Sequence, residues 1–293
     1  MSTVGMSSVS SSCGSSEGRP PRRRWLRYSL RGLLALMLLA AIGAWWLKTK
    51  VDAARREEQA IAALMEVGGV TVHCQQDESG GFDNANKPED SWLRSLFGDA
   101  FVDEPVSIHF GPRFHCTRRN LEWIRDLPTL ETVTFWGPCD VREPGAVAVI
   151  GELPNLKDFT TDEFYAINEE IQAWGKLKDL EYLQFRARGI TAESLDQLTE
   201  DLPNLVELRI DGSSFGPGPF RGFSRLKSLE KLSLAGCQFA DNDFTGLEIP
   251  AIKMLSFSGS NITEEDLARL QRAMPHCQVM GPAVGQTDSS PSN

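Results

Sequence analysis

From residue 105 onward the chain repeats one arrangement of apolar positions: apolar, two residues, apolar, one residue, apolar. It appears as Leu130/Val133/Phe135, Leu156/Phe159/Thr161, Leu180/Leu183/Phe185, Leu205/Leu208/Ile210, Leu229/Leu232/Leu234 and Ile252/Leu255/Phe257. The first members lie 26, 24, 25, 24 and 23 residues apart. A degenerate copy, Pro105/Ile108/Phe110, precedes Leu130 by 25 residues, and a half-copy, His276/Val279, follows Ile252 by 24. In each copy the last two apolar residues are two apart, which places them on one face of a short strand. Stretches between copies show helical spacing, as at Asn168/Ile171/Trp174, Ile190/Leu195/Leu198 and Leu267/Leu270, the last behind a Thr263 cap with Asp266 three residues on. One strand and one helix cannot bury their apolar faces alone. Stacked copies can, and the pattern predicts an α/β solenoid with a parallel concave sheet and helices and loops on the convex side.

Flanking positions recur as well. Leu-Pro-x-Leu precedes the pattern at residues 127–130, 153–156 and 202–205. Phe215, Phe239 and Ile262 follow it, and Ser213, Cys237 and Ser260 occupy a fixed small polar position. This unit resembles the leucine-rich repeat, with its LxxLxL core and an Asn/Cys-type position. The copies are uneven. Residues 216–224 hold two prolines and three glycines and are expected to form a loop, and residues 241–250 leave room for no more than one helical turn. Residues 57–75 read as a helix, a Gly68-Gly69 turn and a strand, an N-terminal cap for the open end of the stack. Residues 76–90 read as a polar loop and 91–98 as a short amphipathic helix.

The N-terminal part is patterned differently. Residues 32–47 are uncharged and apolar, about 24 Å as a helix against a hydrocarbon core of about 30 Å. Trp25 and Tyr28 flank the run on one side and Trp45 and Trp46 on the other, so Trp25 and Trp46 sit about 31 Å apart, the spacing of two aromatic belts. Arg27, Arg31 and Lys48 can reach outward to the headgroups. A transmembrane helix is the first expectation. A cleaved signal peptide, with Ala41-Ile42-Gly43 as its site, and a buried soluble helix are the competing readings. Six arginines precede the run and four basic residues follow it closely. That bias puts the N-terminus in the cytoplasm and the rest across the membrane, which in a bacterium means the inner membrane and the periplasm. The expected organisation is a basic disordered tail (1–31), a transmembrane helix (32–47), a juxtamembrane helix and cap (48–104), the repeats (105–281) and a disordered tail (282–293).

Charge sharpens this division. Residues 1–50 hold eight basic side chains and one acid, which leaves 22 basic and 39 acidic residues beyond them, a net of −17. Such a body argues against nucleic acid as a partner. Six cysteines in 293 residues are too dilute for a disulfide scaffold. Cys116 and Cys139 are a candidate pair for a bridge between neighbouring repeats. His73, His115 and His276 each precede a cysteine, but neighbours along a strand point to opposite faces, so the pairs suit packing better than metal. HExxH, CxxC, GxSxG and P-loop motifs are absent from the sequence, and no catalytic residue, metal ligand or cofactor is expected.

Residues 27–34, a basic RxSLRxLL-type start, and 67–72, the Gly-Gly turn into a strand, extend the likeness. With them the chain resembles bacterial single-pass membrane-anchored leucine-rich-repeat proteins over most of residues 22–280. The resemblance implies recognition rather than catalysis. Strand spacing points Trp136, Asp158, Asp162, Tyr182, Arg186, Glu207, Arg209 and Lys231 at the concave surface, where a protein or cell-envelope ligand is expected to bind. Trp136 could instead pack against a neighbouring loop, and the arginines could be engaged by the acids beside them. A self-associating structural envelope component is the alternative role, and a cytosolic adaptor would follow if the orientation were reversed.

Overall fold

A computed structural model describes residues 30–74, 105–137, 140–141, 143–200, 202–241, 244 and 247–281. Residues 1–29 of the expected N-terminal tail, the tail 282–293, the loop 76–90, the helix 91–98 and Cys139 lie outside the described residues. The chain divides into two compact units, Met1–Leu47 and Lys48–Asn293.

Helix α1 (Leu30–Val67) begins in the first unit and ends in the second, so the expected juxtamembrane helix is not a separate element. Between Gly32 and Leu47 every residue is exposed, including Leu36, Leu39, Trp45 and Trp46. In the second unit the same helix becomes one-sided. Ala54, Glu57, Ala60 and Leu64 recur every three or four residues and are buried, and Ala60 and Leu64 join the repeat core. Gly68 and Gly69 end the helix at φ of 85° and 73°, a conformation costly for any residue with a Cβ. A Cβ on Gly69 would also sit 2.9 Å from the Phe114 backbone nitrogen.

After the turn, β1 (Val70–His73) pairs antiparallel with β2 (Ser107–Phe110). Next come β3 (His115–Cys116), α2 (Arg118–Leu121), a 3-10 turn (Glu122–Asp126), β4 (Thr132–Phe135) and β5 (Asp140–Val141). A 3-10 helix (Ala146–Glu152) leads to β6 (Asp158–Ala166), α3 (Asn168–Trp174), β7 (Tyr182–Ala187), α4 (Ala192–Glu200), β8 (Glu207–Ile210) and β9 (Ser214–Phe215). The chain closes with a 3-10 helix (Pro219–Arg225), β10 (Lys231–Ser233), β11 (Gln238–Phe239), β12 (Met254–Ser256), α5 (Glu264–Ala273) and β13 (Gln278–Met280). One nine-stranded sheet runs β1-β2-β4-β6-β7-β8-β10-β12-β13, parallel from β2 onward. Each strand thus comes from the next repeat in sequence, with helices, 3-10 turns and short outer bridges between them. This is a leucine-rich-repeat solenoid. The degenerate copy at Pro105 supplies β2, and the half-copy at His276 supplies β13.

Two apolar rows hold the stack together. Ile108, Val133, Phe159, Leu183, Leu208, Leu232 and Leu255 are in register and buried. The second row passes through Phe110, Phe135, Phe185, Ile210, Leu234 and Phe257, with Phe110 and Phe135 stacked at 4.7 Å. Thr161 takes the Phe position in β6, and its buried hydroxyl has no hydrogen-bond partner among the described residues. The strand answers with a bulge between Thr161 and Tyr165, and Phe164 reaches back to Phe135 at 5.6 Å between ring centres.

The convex side corrects one expectation. Residues 216–224 are not a plain loop, because a 3-10 helix runs from Pro219 to Arg225. Gly218 turns the chain at φ 69°, and Pro219 stands in the first turn, where its missing N–H costs nothing. Convex elements also touch closely. A Cβ on Gly151 would overlap the carbonyl oxygen of Ala173 in α3. Gly151→Ala is therefore expected to cost about 1–3 kcal/mol through forced separation of the two repeats, read as a lower urea midpoint.

Candidate functional site

On the concave face, side chains between the core rows form rows of their own, about 4.8 Å from strand to strand. Asp158, Tyr182, Glu207 and Lys231 are aligned in register, and Thr160, Gln184, Arg209 and Ser233 lie one pleat further on. Alternation is clean in β7, where Tyr182, Gln184 and Arg186 are half-buried and Leu183, Phe185 and Ala187 are buried.

The central charges are largely committed to each other. The Glu207 carboxylate accepts from Arg209 Nε at 2.8 Å and from Lys231 Nζ at 3.1 Å. The expected alternative for Arg209, engagement by an adjacent acid, is what the structure has. The Tyr182 hydroxyl donates to Gln184 Oε1 at 2.6 Å, and Gln184 Nε2 donates to Asp211 Oδ2 at 3.4 Å. Burial pushes the Tyr182 phenol up to about 12, which keeps it a protonated donor. The sheet centre is a preorganised network of donors and acceptors rather than a set of loose charges.

Asp158 is the strained member. Burial pushes its carboxyl up to about 6, against a hydrogen bond from Thr160 and with added repulsion from Glu207. The folded protein therefore binds this proton more tightly than the unfolded chain does. Stability from this group is full below about pH 4, its unfolded range, and is lost as pH rises through the folded value. Asp158→Asn is expected to raise stability at neutral pH by about 1–2 kcal/mol, discounted for partial exposure, and to change little under acid conditions. Denaturation curves at the two pH values test this, and an equal gain at both would contradict it.

The rim at the C-terminal ends of the strands is different in character. Trp136 follows β4 and is 63% exposed. Its indole meets the His109 ring edge-on at 6.1 Å, and His109 meets His73 at 5.3 Å across the antiparallel pair. Burial, then repulsion from His73, lowers the pKa of His109. Farther along, Arg186 and Arg188 both lie over the Tyr165 ring, at 5.7 and 4.1 Å. The side chain of Asp162 lies outside the described residues. Tyr165 and Arg188 were not among the sequence candidates. The β6 bulge brings Tyr165 opposite Arg186, and no spacing rule shows a bulge in advance.

His115 is exposed and Cys116 is buried, the alternation expected of a strand. Burial pushes the Cys237 thiol up to about 12, and its Sγ lies 2.9 Å from the Ile210 carbonyl oxygen, a packed and hydrogen-bonded side chain rather than a nucleophile. Among the described residues no three His, Cys, Asp or Glu side chains gather as a metal site.

No family model matches the chain. No curated protein matches it either. Solved structures do. Internalin C2 of Listeria monocytogenes is 20% identical over 47% of this chain and 56% of its own, with a TM-score of 0.38. A second internalin from that organism is 16% identical over 56% and 51%, again at 0.38. A leucine-rich-repeat protein of Leptospira interrogans is 17% identical over 54% and 56%, at 0.28. The chain spans about half the length of the structures it matches. The fold assignment rests on the strand ladder itself, and no enzyme family is indicated.

Proposed function

We propose that this chain is a membrane-anchored recognition protein whose concave sheet binds a protein or cell-envelope ligand without catalysis. The observation behind this reading is the aromatic and arginine rim on the sheet: exposed Trp136, then exposed Tyr165 with half-buried Arg186 and exposed Arg188 over its ring. Trp, Tyr and Arg are the side chains that dominate binding hot spots. The sheet beneath them is fixed by two buried apolar rows, so little ordering entropy is lost on association. The helix segment 32–47 is apolar, exposed and flanked by tryptophans, as a membrane anchor requires. Its charge flanks favour a cytoplasmic N-terminus and a periplasmic repeat body at an inner membrane.

Photo-crosslinking in cells tests the binding surface. A crosslinking residue at Tyr182 or Arg209 is expected to give one discrete adduct, and a probe at Glu193 on α4 none. Trp136→Ala with Arg186→Ala should weaken the adduct at least tenfold, as loss of two hot-spot contacts would. An adduct at the mass of two copies would favour self-association. Equal labelling from α4 and the concave face would refute concave recognition.

A further inference from the structure

We propose that a cleft on the convex side binds a small zwitterion, a free amino acid or dipeptide with short side chains, between Arg118 and Glu169. The cleft has a volume of about 260 Å³. Drug-sized ligands fill pockets of roughly 300–1,000 Å³, so a smaller molecule suits this one. The cleft exists because one repeat carries small side chains on its outer side. In the 3-10 helix Ala146–Glu152 the larger Val147 and Ile150 are turned into the core. Gly145, Ala146, Ala148, Val149 and Gly151 are left as a floor, with Ala173 of α3 beside them. Arg118 and Glu122 line it from the preceding repeat, and Glu169 and Lys176 from the following one.

The chemistry of the lining sets the ligand class. Arg118, Arg125 and Lys176 stand against Glu122, Glu152 and Glu169, a net charge of zero. A simple anion or cation gains no net attraction from such a set. Among the described residues the lining has no aromatic ring, hydroxyl or amide side chain. A sugar or a nucleobase therefore finds neither a face to stack on nor neutral side-chain partners. Four of the six charges are engaged with one another. Glu152 accepts from Arg125 at 2.6 and 2.7 Å, and it also feels the charge of Lys176, as Arg125 does that of Glu122. Arg118 and Glu169 are left over. Both are exposed, and among the described residues neither side chain makes a hydrogen bond or ion pair. The Arg118 backbone is fixed, because its N–H donates to Glu143 Oε2 at 2.9 Å. Glu169 leans over Gly145, with its carboxylate oxygens 3.5 and 3.6 Å from where a Cβ would stand. A guanidinium from one repeat and a carboxylate from another suit the carboxylate and ammonium of one amino acid or dipeptide. The alanine and valine floor suits a short aliphatic side chain.

The test is calorimetric titration of the full chain in detergent with alanine and alanyl-alanine, beside the N-acetyl and C-terminal amide forms of the dipeptide. At least one free zwitterion is expected to saturate in the millimolar range, since exposed charge contacts are individually weak. Each blocked form should bind at least about tenfold more weakly, the loss of one charge-assisted contact. Glu169→Gln should weaken the free dipeptide several-fold and leave the N-acetyl form unchanged. Arg118→Gln should weaken it likewise and leave the amide form unchanged. Both variants change exposed side chains and should keep the wild-type Tm, which separates a binding role from a structural one. Ala148→Phe, which fills the floor, should abolish binding, and if that variant does not fold the two charge variants decide alone. No saturable binding of either zwitterion, or equal binding of the blocked forms, would overturn the proposal. So would binding that Glu169→Gln and Arg118→Gln leave untouched.

Discussion

Trp174→Ala is expected to lower the unfolding free energy by about 3–5 kcal/mol, the largest single effect in the molecule. Trp174 ends α3 and is fully buried. Its ring meets Phe159 edge-on at 4.9 Å and Phe185 at 5.6 Å, so it joins the convex helix to two successive strands. Its Nε1–H donates to the Val147 carbonyl at 3.2 Å in the preceding repeat. Alanine leaves a cavity at the junction of three repeats and takes one of its donors from a buried carbonyl. Trp174→Phe keeps most of the volume but loses the donor, and should cost less. Urea denaturation followed by far-UV circular dichroism measures both. A loss under about 1 kcal/mol for the alanine variant would mean that the repeats close over the gap.

Ser260→Ala is the second, at about 2–4 kcal/mol from two orphaned backbone groups. The buried Ser260 hydroxyl donates to the Leu234 carbonyl at 2.5 Å and accepts the Cys237 N–H at 3.1 Å, both in the repeat before it. One repeat earlier, Cys237 Sγ stands 2.9 Å from the Ile210 carbonyl oxygen. One earlier again, Ser213 Oγ accepts from the Ala187 N–H at 2.8 Å. These turns leave backbone groups facing the core with no strand to pair them, and a small polar side chain from the next repeat satisfies each. Ser260→Cys should recover much of the loss, since Cys237 already makes such a contact in this chain. Equal destabilisation by alanine and cysteine would show that volume, not hydrogen bonding, governs the position.

That ladder was legible in the sequence because it recurs at a fixed offset from the strand pattern. The apolar rows were legible for the same reason, and so was the Thr263 cap, whose side chain accepts from the Asp266 N–H at 3.2 Å. Features that break the repeat were not. Thr161 fits the spacing but lacks the volume of a phenylalanine, and the bulge that repairs this moves Tyr165 beside Arg186 and Arg188. The 3-10 helix at Pro219 was hidden by prolines that usually mark a loop but suit a first turn. Pairing of Arg209 with Glu207 depends on rotamers, which strand spacing leaves open.

The most direct test of a membrane-anchored recognition protein is protease protection of a C-terminal tag in cells. The account predicts that the tag becomes digestible once the outer membrane is opened while the inner membrane stays sealed, and that the intact chain stays in the pellet after alkaline carbonate extraction. Protection until the inner membrane is broken would contradict the orientation and place the repeats in the cytoplasm. Release of the chain by carbonate would contradict the anchor itself.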